Sequence, residues 1–154
     1  MSTSPTSIHI ENLEVRYGKT RALNGVSFKV RAGEVYALLG RNGTGKSSLV
    51  RCLLGQQKPT AGIIRLLGED SWRHRAQLMG RIGVVPETPD APPSMTVGQI
   101  VKFSRQLYSR WDEEGLEQRL QRFEVPHKTP FGRLSKGQQA QVMMALALAM
   151  VPNS

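Results

Sequence analysis

Gly40-Arg41-Asn42-Gly43-Thr44-Gly45-Lys46-Ser47, in one-letter form GRNGTGKS, follows the apolar run Val35-Tyr36-Ala37-Leu38-Leu39. The spacing fits G-x-x-x-x-G-K-S/T, a loop that cradles a polyphosphate between a strand and a helix. Each residue type answers a physical need. Glycine lets the backbone bend so that successive N–H groups point inward, and its missing side chain lets phosphate oxygens approach closely. A helix opening at Lys46 or Ser47 adds its positive dipole end to the same anion. Lys46 supplies a compact cation for the outer phosphates, and the Ser47 hydroxyl suits Mg²⁺. The plain alternative is a glycine-rich turn between a buried strand and a helix. The strand before and the apolar-periodic helix after favour the phosphate loop.

The elements that must hold this loop lie on either side of it. Residues 1–7 are rich in Ser, Thr and Pro and are expected to be disordered. Ile8 and Ile10, then Leu13 and Val15, alternate with polar residues as in a half-buried strand, and Tyr17-Gly18-Lys19 reads as a turn. Val26, Phe28 and Val30 alternate again before the Arg31–Glu34 turn into an expected buried strand at 35–39. Two strands with one exposed face ahead of a fully apolar one suggest an antiparallel flap packed on a parallel core. After the loop, Leu49, Leu53 and Leu54 mark a helix ended by Gly55. Residues 63–67 read as a strand closed by Gly68-Glu69-Asp70, and 82–85 as a short buried one. The four-proline stretch 86–93 is a plausible boundary. From Met95 to Phe131 the pattern is helical. Thr96 with Gln99 forms a capping box, with Ile100, Phe103 and Leu107 sharing one apolar face; Asp112 can cap a second helix with Leu116, Leu120 and Phe123 on its stripe. Ser135 with Gln138 forms another box, opening a helix with Val142, Leu146 and Ala149 inward until Pro152 stops it.

Bulk properties narrow the classes. A chain of 154 residues is expected to make one domain, and no run of eighteen or more apolar residues is present to span a membrane. The N-terminal segment lacks a basic region followed by an apolar one, unlike a secretory signal. The single Cys52 cannot form an intramolecular disulfide, and its apolar neighbours mark it as a buried structural thiol. The net charge of +9 invites nucleic acid or an anionic membrane. The basic residues are spread out, with only a loose cluster at Arg73, His74, Arg75 and Arg81, and no aromatic interleaving of the kind that stacks bases. A solvated face or attraction to an acidic membrane surface is the more economical account, and no nucleic-acid partner is expected.

Leu134-Ser135-Lys136-Gly137-Gln138-Gln139 adds a second anion-binding device, a serine N-cap and a glycine at the start of a long helix. Alone it is a capped helix; about ninety residues beyond a phosphate loop, with a helical insertion between, it means more. The combination resembles the ATP-binding cassette (ABC) ATPases over nearly the whole chain. LSKGQQ looks like the family signature LSGGQ, with Lys136 in place of the first glycine. Tyr17 matches the aromatic that stacks on adenine, with a locally packed strand-end aromatic as the alternative. Val84-Val85-Pro86-Glu87 matches the loop joining core to helical subdomain, where Glu87 stands in place of the frequent Gln. Residues 108–114 and the LSKGQ variant are similar to bacterial export-type cassettes, although Tyr108 and Trp111 read equally as core aromatics.

The resemblance implies an α/β fold of the P-loop NTPase (ABC ATPase) type with an N-terminal antiparallel β flap and a helical subdomain. It divides the chain into flap plus nucleotide-binding core at 8–86, helical subdomain at 87–134 and signature helix at 135–154. It implies ATP and Mg²⁺ as cofactors. Nucleotide would be held by Tyr17, Gly40, Asn42, Gly43, Thr44, Gly45, Lys46, Ser47 and Ser48, and metal by Ser47 and Glu87. Lys46, Glu87, Ser135 and Gly137 would serve turnover. Two cassettes would face head to tail, with ATP between the phosphate loop of one and the signature serine and glycine of the other. The helical subdomain would pass the motion to a transmembrane permease, placing the subunit in the cytoplasm on the inner face of the membrane and powering export. As a carboxylate, Glu87 accepts hydrogen bonds but donates none, so its role is that of a sensor or metal contact, or else of a solvated loop acid.

The family pattern continues past the signature helix with a Walker B strand ending in Asp-Glu, an Asp loop and a switch histidine, none of which occurs within these 154 residues. His9, His74 and His127 stand in the wrong places to substitute. The expectation is a chain incomplete at its C-terminus, with an exposed hydrophobic edge and a tendency to aggregate. Three rivals remain: a non-transport cassette acting on nucleic acid or ribosomes, a small phosphate-loop kinase in which LSKGQ has no role, and a non-catalytic nucleotide-binding fragment. Residues 1–154 alone should therefore bind ATP weakly and turn it over poorly. A steady-state rate typical of a complete cassette, abolished by Lys46→Ala, would refute this.

Overall fold

A computed structural model describes residues 6–150. The expectations for residues 1–5 and for the stop at Pro152 lie outside the described residues. Thr6 and Ser7, expected to be disordered, are the first residues of a strand, where the Ser7 carbonyl accepts the Leu67 N–H at 2.7 Å.

The alternating segments pair as a hairpin, β1 (Thr6–Tyr17) with β2 (Thr20–Arg31). Strand β3 (Ala61–Leu66) adds to the other side of β1 and β4 (Glu69–Asp70) closes the edge, giving a wholly antiparallel sheet of order β2-β1-β3-β4. The apolar positions of β1 change parity between Ile10 and Leu13, and the register shifts there as well. Asn12 sits at φ 47°, its N–H bonded to the Ser27 hydroxyl at 2.8 Å. This bulge keeps Ile10, Leu13 and Val15 all buried, where an unbroken strand would send the second pair to the opposite face.

Helix α1 (Lys46–Leu53) covers that face, with Leu49 and Cys52 packed among Ile10, Leu13, Val15 and Ile64. Cys52 is fully buried, and burial pushes its thiol pKa up, as an inert core thiol requires. A short helix that the periodicity did not announce, α2 (Arg75–Met79), follows β4. It is prepared by Asp70, whose carboxylate accepts the Trp72 and Arg73 N–H groups at 3.0 and 2.8 Å.

The chain splits into two compact units, Met1–Met79 and Gly80–Ser154. The second is built from α3 (Val97–Leu107), α4 (Glu113–Arg122), a 3-10 turn at Phe131–Arg133 and α5 (Lys136–Met150). Its core gathers Val97, Ile100, Leu116, Leu120, Val142 and Leu146. The expected caps form. Thr96 and Gln99 exchange bonds at 2.8 and 3.2 Å, Asp112 accepts the Gly115 N–H at 2.8 Å, and Ser135 and Gln138 exchange bonds at 3.1 and 3.2 Å.

Three expectations are corrected. No strand forms at 35–39, where Val35 is fully exposed and Leu39 is 89% exposed. A buried parallel strand is made by its neighbours, and no segment among the described residues lies alongside to pair its N–H and C=O groups. Tyr36 instead stacks on Phe28, with ring centroids 4.7 Å apart. Residues 82–85 are likewise unpaired in any sheet, and Gly83 runs so close to the Ala147 carbonyl that a side chain there would collide with it. Finally, the inward stripe of α3 is Val97, Ile100, Val101 and Ser104, while Phe103 and Leu107 stand 57% and 64% exposed. The two stripes have similar helical spacing, and the buried one includes a serine, so hydrophobicity favours the wrong face.

Leu116→Ala should lower the unfolding free energy by about 2–5 kcal/mol, as expected for a cavity in a packed core. Phe103→Ala on the same unit should change it by no more than about 0.5 kcal/mol. Urea unfolding of both variants measures the contrast.

Candidate functional site

Helix α1 starts at Lys46, on a glycine that carries no side-chain cap. Gly45 sits at φ 90°, and a Cβ there would run into the Ala22 carbonyl and the Leu23 side chain. Glycine is therefore needed twice over, for the left-handed turn and for the approach to β2. The first intrahelical bond runs from the Leu49 N–H to the Gly45 carbonyl at 2.9 Å, so the amides of Lys46, Ser47 and Ser48 precede it. Such first-turn N–H groups have no partner within a helix, and together with the dipole they attract an anion.

The loop before the helix is folded on itself. The Thr44 N–H and hydroxyl both donate to the Arg41 carbonyl, at 3.4 and 2.8 Å. The Lys46 ammonium donates to the carbonyls of Gly40 and, at 2.8 Å, Arg41. Asn42 and Gly43 form the exposed tip, Gly43 with φ 83°. Ser47 is exposed at the second position of the helix. Ser48 behaves differently. It is buried, and its Oγ lies 3.1 Å from the Tyr17 hydroxyl.

Tyr17 ends β1 and is 47% exposed. Its hydroxyl also donates to the Gln57 side-chain oxygen at 2.6 Å. The phenol is held below the ordinary tyrosine pKa of 10.0, chiefly by the hydrogen bond from Ser48, with burial opposing and the nearby Arg51 charge adding to the lowering. The first unit thus brings together Tyr17, the loop 40–45, Lys46, Ser47 and Ser48. Gln57, forty residues from Tyr17 in the chain, is a member that no local pattern announced.

The remaining candidates belong to the second unit. Ser135 caps α5 through the reciprocal bonds with Gln138. Gly137 and Lys136 are exposed on the first turn, and a Cβ at Gly137 would meet only the Ser135 Oγ, at 3.9 Å. Lys136 is exposed at the start of the turn. The chain continues from Ser135 into a helix anchored by Gln139, whose amide donates to the carbonyls of Phe131 and Leu134 at 3.1 and 3.3 Å. Glu87 is exposed at a bend. The three histidines each face a glutamate: His9 with Glu11, His74 with Glu69 and His127 with Glu117, at 3.6, 3.4 and 2.9 Å.

Among the described residues no group of three or more His, Cys, Asp or Glu could hold a metal. The donor set at α1 fits Mg²⁺ that arrives with a polyphosphate, because this ion takes few protein ligands and keeps phosphate oxygens and waters. The same residues fit the polyphosphate, with uncapped amides, a glycine-lined turn and one lysine. Among the described residues no helix is long and apolar enough to cross a membrane.

Residues 23–153 match the family described as ABC transporter. The chain belongs to the ABC transporter family. Among its relatives, the Nod factor export ATP-binding protein I of Burkholderia orbicola is 37% identical over 158 residues, covering 99% of this chain and 51% of that protein. The phosphonates import ATP-binding protein PhnC of Pseudomonas putida is 33% identical over 171 residues, covering 99% and 63%. A solved structure described as the ATP binding subunit of an ABC transporter superposes with a TM-score of 0.82 at 26% identity, covering 94% of this chain and 62% of that one. These relatives of the ABC transporter family are named as ATP-binding proteins of both export and import systems. The chain spans about half the length of the named relatives it matches.

An alkaline absorbance titration should show one of the three tyrosines ionising below the usual tyrosine range. Tyr17→Phe should remove that transition, and Ser48→Ala should move it back up. Because the folded pKa is the lower one, the effect favours the folded state in full above the unfolded tyrosine pKa of about 10 and is lost as pH falls through the folded value. Neutral-pH stability should owe nothing to this ionisation.

Proposed function

We propose that this chain is the nucleotide-binding part of an ABC transporter ATPase subunit, which holds Mg-ATP between its own phosphate loop and the Ser135–Gly137 turn of a second subunit. The observation that carries the reading is the contrast among helix starts. Those of α3, α4 and α5 are closed by side chains, whereas α1 opens on a bare glycine beside Lys46. A nucleotide triphosphate supplies the negative charge that such an opening lacks.

Each residue then has a task. The amides from Gly43 to Ser48 surround the phosphates, Lys46 leaves the loop carbonyls for the outer phosphate oxygens, and Ser47 offers a hydroxyl to the metal. Gly40, Asn42, Thr44 and Gly45 shape the cradle, and Tyr17 gives the base an aromatic face. Glu87 serves as metal contact or sensor. From the second subunit, Ser135 and Gly137 add a second helix start against the same charge, so that binding draws two subunits together. The working division is core and flap at 8–86, helical subdomain at 87–134 and signature helix from 135.

Docking to a membrane-spanning permease is supported by the second unit. The second unit has an apolar cavity of about 270 Å³, lined by Val84, Pro92, Met95, Phe103 and Met143, and exposes Phe103 and Leu107 on α3. Such a patch on a helical subdomain suits a partner that covers it. The permease would fix the subunit at the inner face of the membrane. Export is the direction favoured by residues 108–114 and by the relatives named for Nod factor export.

Lys46→Ala in the full-length protein should weaken ATP binding about tenfold or more, the loss expected for a charge-assisted contact. Asn42→Cys in one subunit and Lys136→Cys in another should crosslink when ATP is bound and not without it. Unchanged affinity, or crosslinks indifferent to nucleotide, would overturn the proposal.

A further inference from the structure

Gln57 has no part in the phosphate loop or in the signature turn, yet it makes the shortest hydrogen bond to Tyr17, at 2.6 Å. Its position is built by the end of α1. Gly55 turns the chain back at φ 64°, where a Cβ would collide with the Ser71 carbonyl and the Arg75 side chain. The N–H groups of Gln56 and Gln57 then both donate to the Arg51 carbonyl, at 2.8 and 3.2 Å. This wrap carries the Gln57 side chain back along α1 toward the end of β1. There it meets the Tyr17 hydroxyl from one side, while Ser48, buried on the first turn of the same helix, meets it from the other at 3.1 Å.

A tyrosine at a strand end has two side-chain torsions to fix, and a half-exposed ring held by nothing would sample several rotamers. Two hydrogen bonds at its tip remove most of that freedom. Both anchors belong to the phosphate-loop helix or its immediate continuation, so the ring is registered to the same element that presents Lys46 and Ser47. An aromatic face already held in place costs a base less to stack upon than one that must first be ordered.

We infer that Gln57, with Ser48, is a positioning residue that locks the Tyr17 ring as a preset stacking platform for the base of the bound nucleotide. The inference rests on the nucleotide-binding reading above and assigns a role to Gln57, a residue outside the phosphate contacts, and to the side chain of Ser48. Gln57 itself touches no nucleotide. Its effect passes through the ring, and the base rather than the phosphates must feel it.

Paired titrations of the full-length protein with ATP and with inorganic tripolyphosphate, which has no base, separate these contributions. Gln57→Ala should weaken ATP binding about three- to tenfold, in line with one lost hydrogen bond, and leave tripolyphosphate affinity unchanged. Gln57→Glu, which keeps an acceptor for the Tyr17 hydroxyl, should restore most of the loss. Tyr17→Ala should remove the preference for ATP over tripolyphosphate, and Gln57→Ala added to it should cost nothing further. If Tyr17→Ala lowers that preference but Gln57→Ala does not, the positioning role fails while the nucleotide site stands. If Gln57→Ala weakens both ligands equally, the residue acts on the loop or the fold and the inference is wrong. If Tyr17→Ala leaves the preference intact, Tyr17 is no base platform and the inference falls with it.

Discussion

The first turn of a helix always leaves backbone N–H groups without partners inside the helix, and a folded chain must satisfy them somehow. Helices α3, α4 and α5 do so with their own threonine, aspartate and serine side chains. At α1 the solution is withheld. Glycine at the cap provides no acceptor, its left-handed turn fixes the direction of the loop, and the nearest charged group is another donor, Lys46. The rest of the first unit serves this arrangement. The sheet gives α1 an apolar bed, the Asn12 bulge keeps that bed continuous, and the Ala22 carbonyl lies against the bare Gly45 backbone.

The second unit solves the opposite problem. Ser135 and Gln138 close their helix start reciprocally, and Gln139 ties it to the 3-10 turn before it. What this unit leaves open is apolar, in Phe103, Leu107 and the cavity beside Val84. One unit thus presents uncompensated polar donors, and the other presents uncompensated hydrocarbon. On the proposed reading, a polyanion would meet the first and a covering partner the second.

Much of this was legible in the sequence because it depends on neighbours in the chain. Capping boxes join residues three positions apart, strand alternation repeats every two, and the phosphate loop is written in eight consecutive letters. The misreadings all involve partners far away. Residues 35–39 are as apolar as a buried strand should be, but apolarity records what a segment can join and not what lies beside it. Phe103 and Leu107 look more like a core stripe than Val101 and Ser104, and only the packing of α3 against its neighbours chooses between them. Gln57 carries no pattern at all, since its role comes from a wrapped chain end that meets a residue forty positions earlier.

The lysine folded onto the carbonyls of Gly40 and Arg41 has a further consequence. Two of the three N–H groups of its ammonium are taken by those carbonyls, which leaves one to meet an anion without disturbing the loop. A second or third contact would have to displace a carbonyl, and would gain only the difference between a formally charged oxygen and a dipolar one. A lone anion would thus leave the cradle in shape, whereas a dense polyanion could draw the lysine away from it.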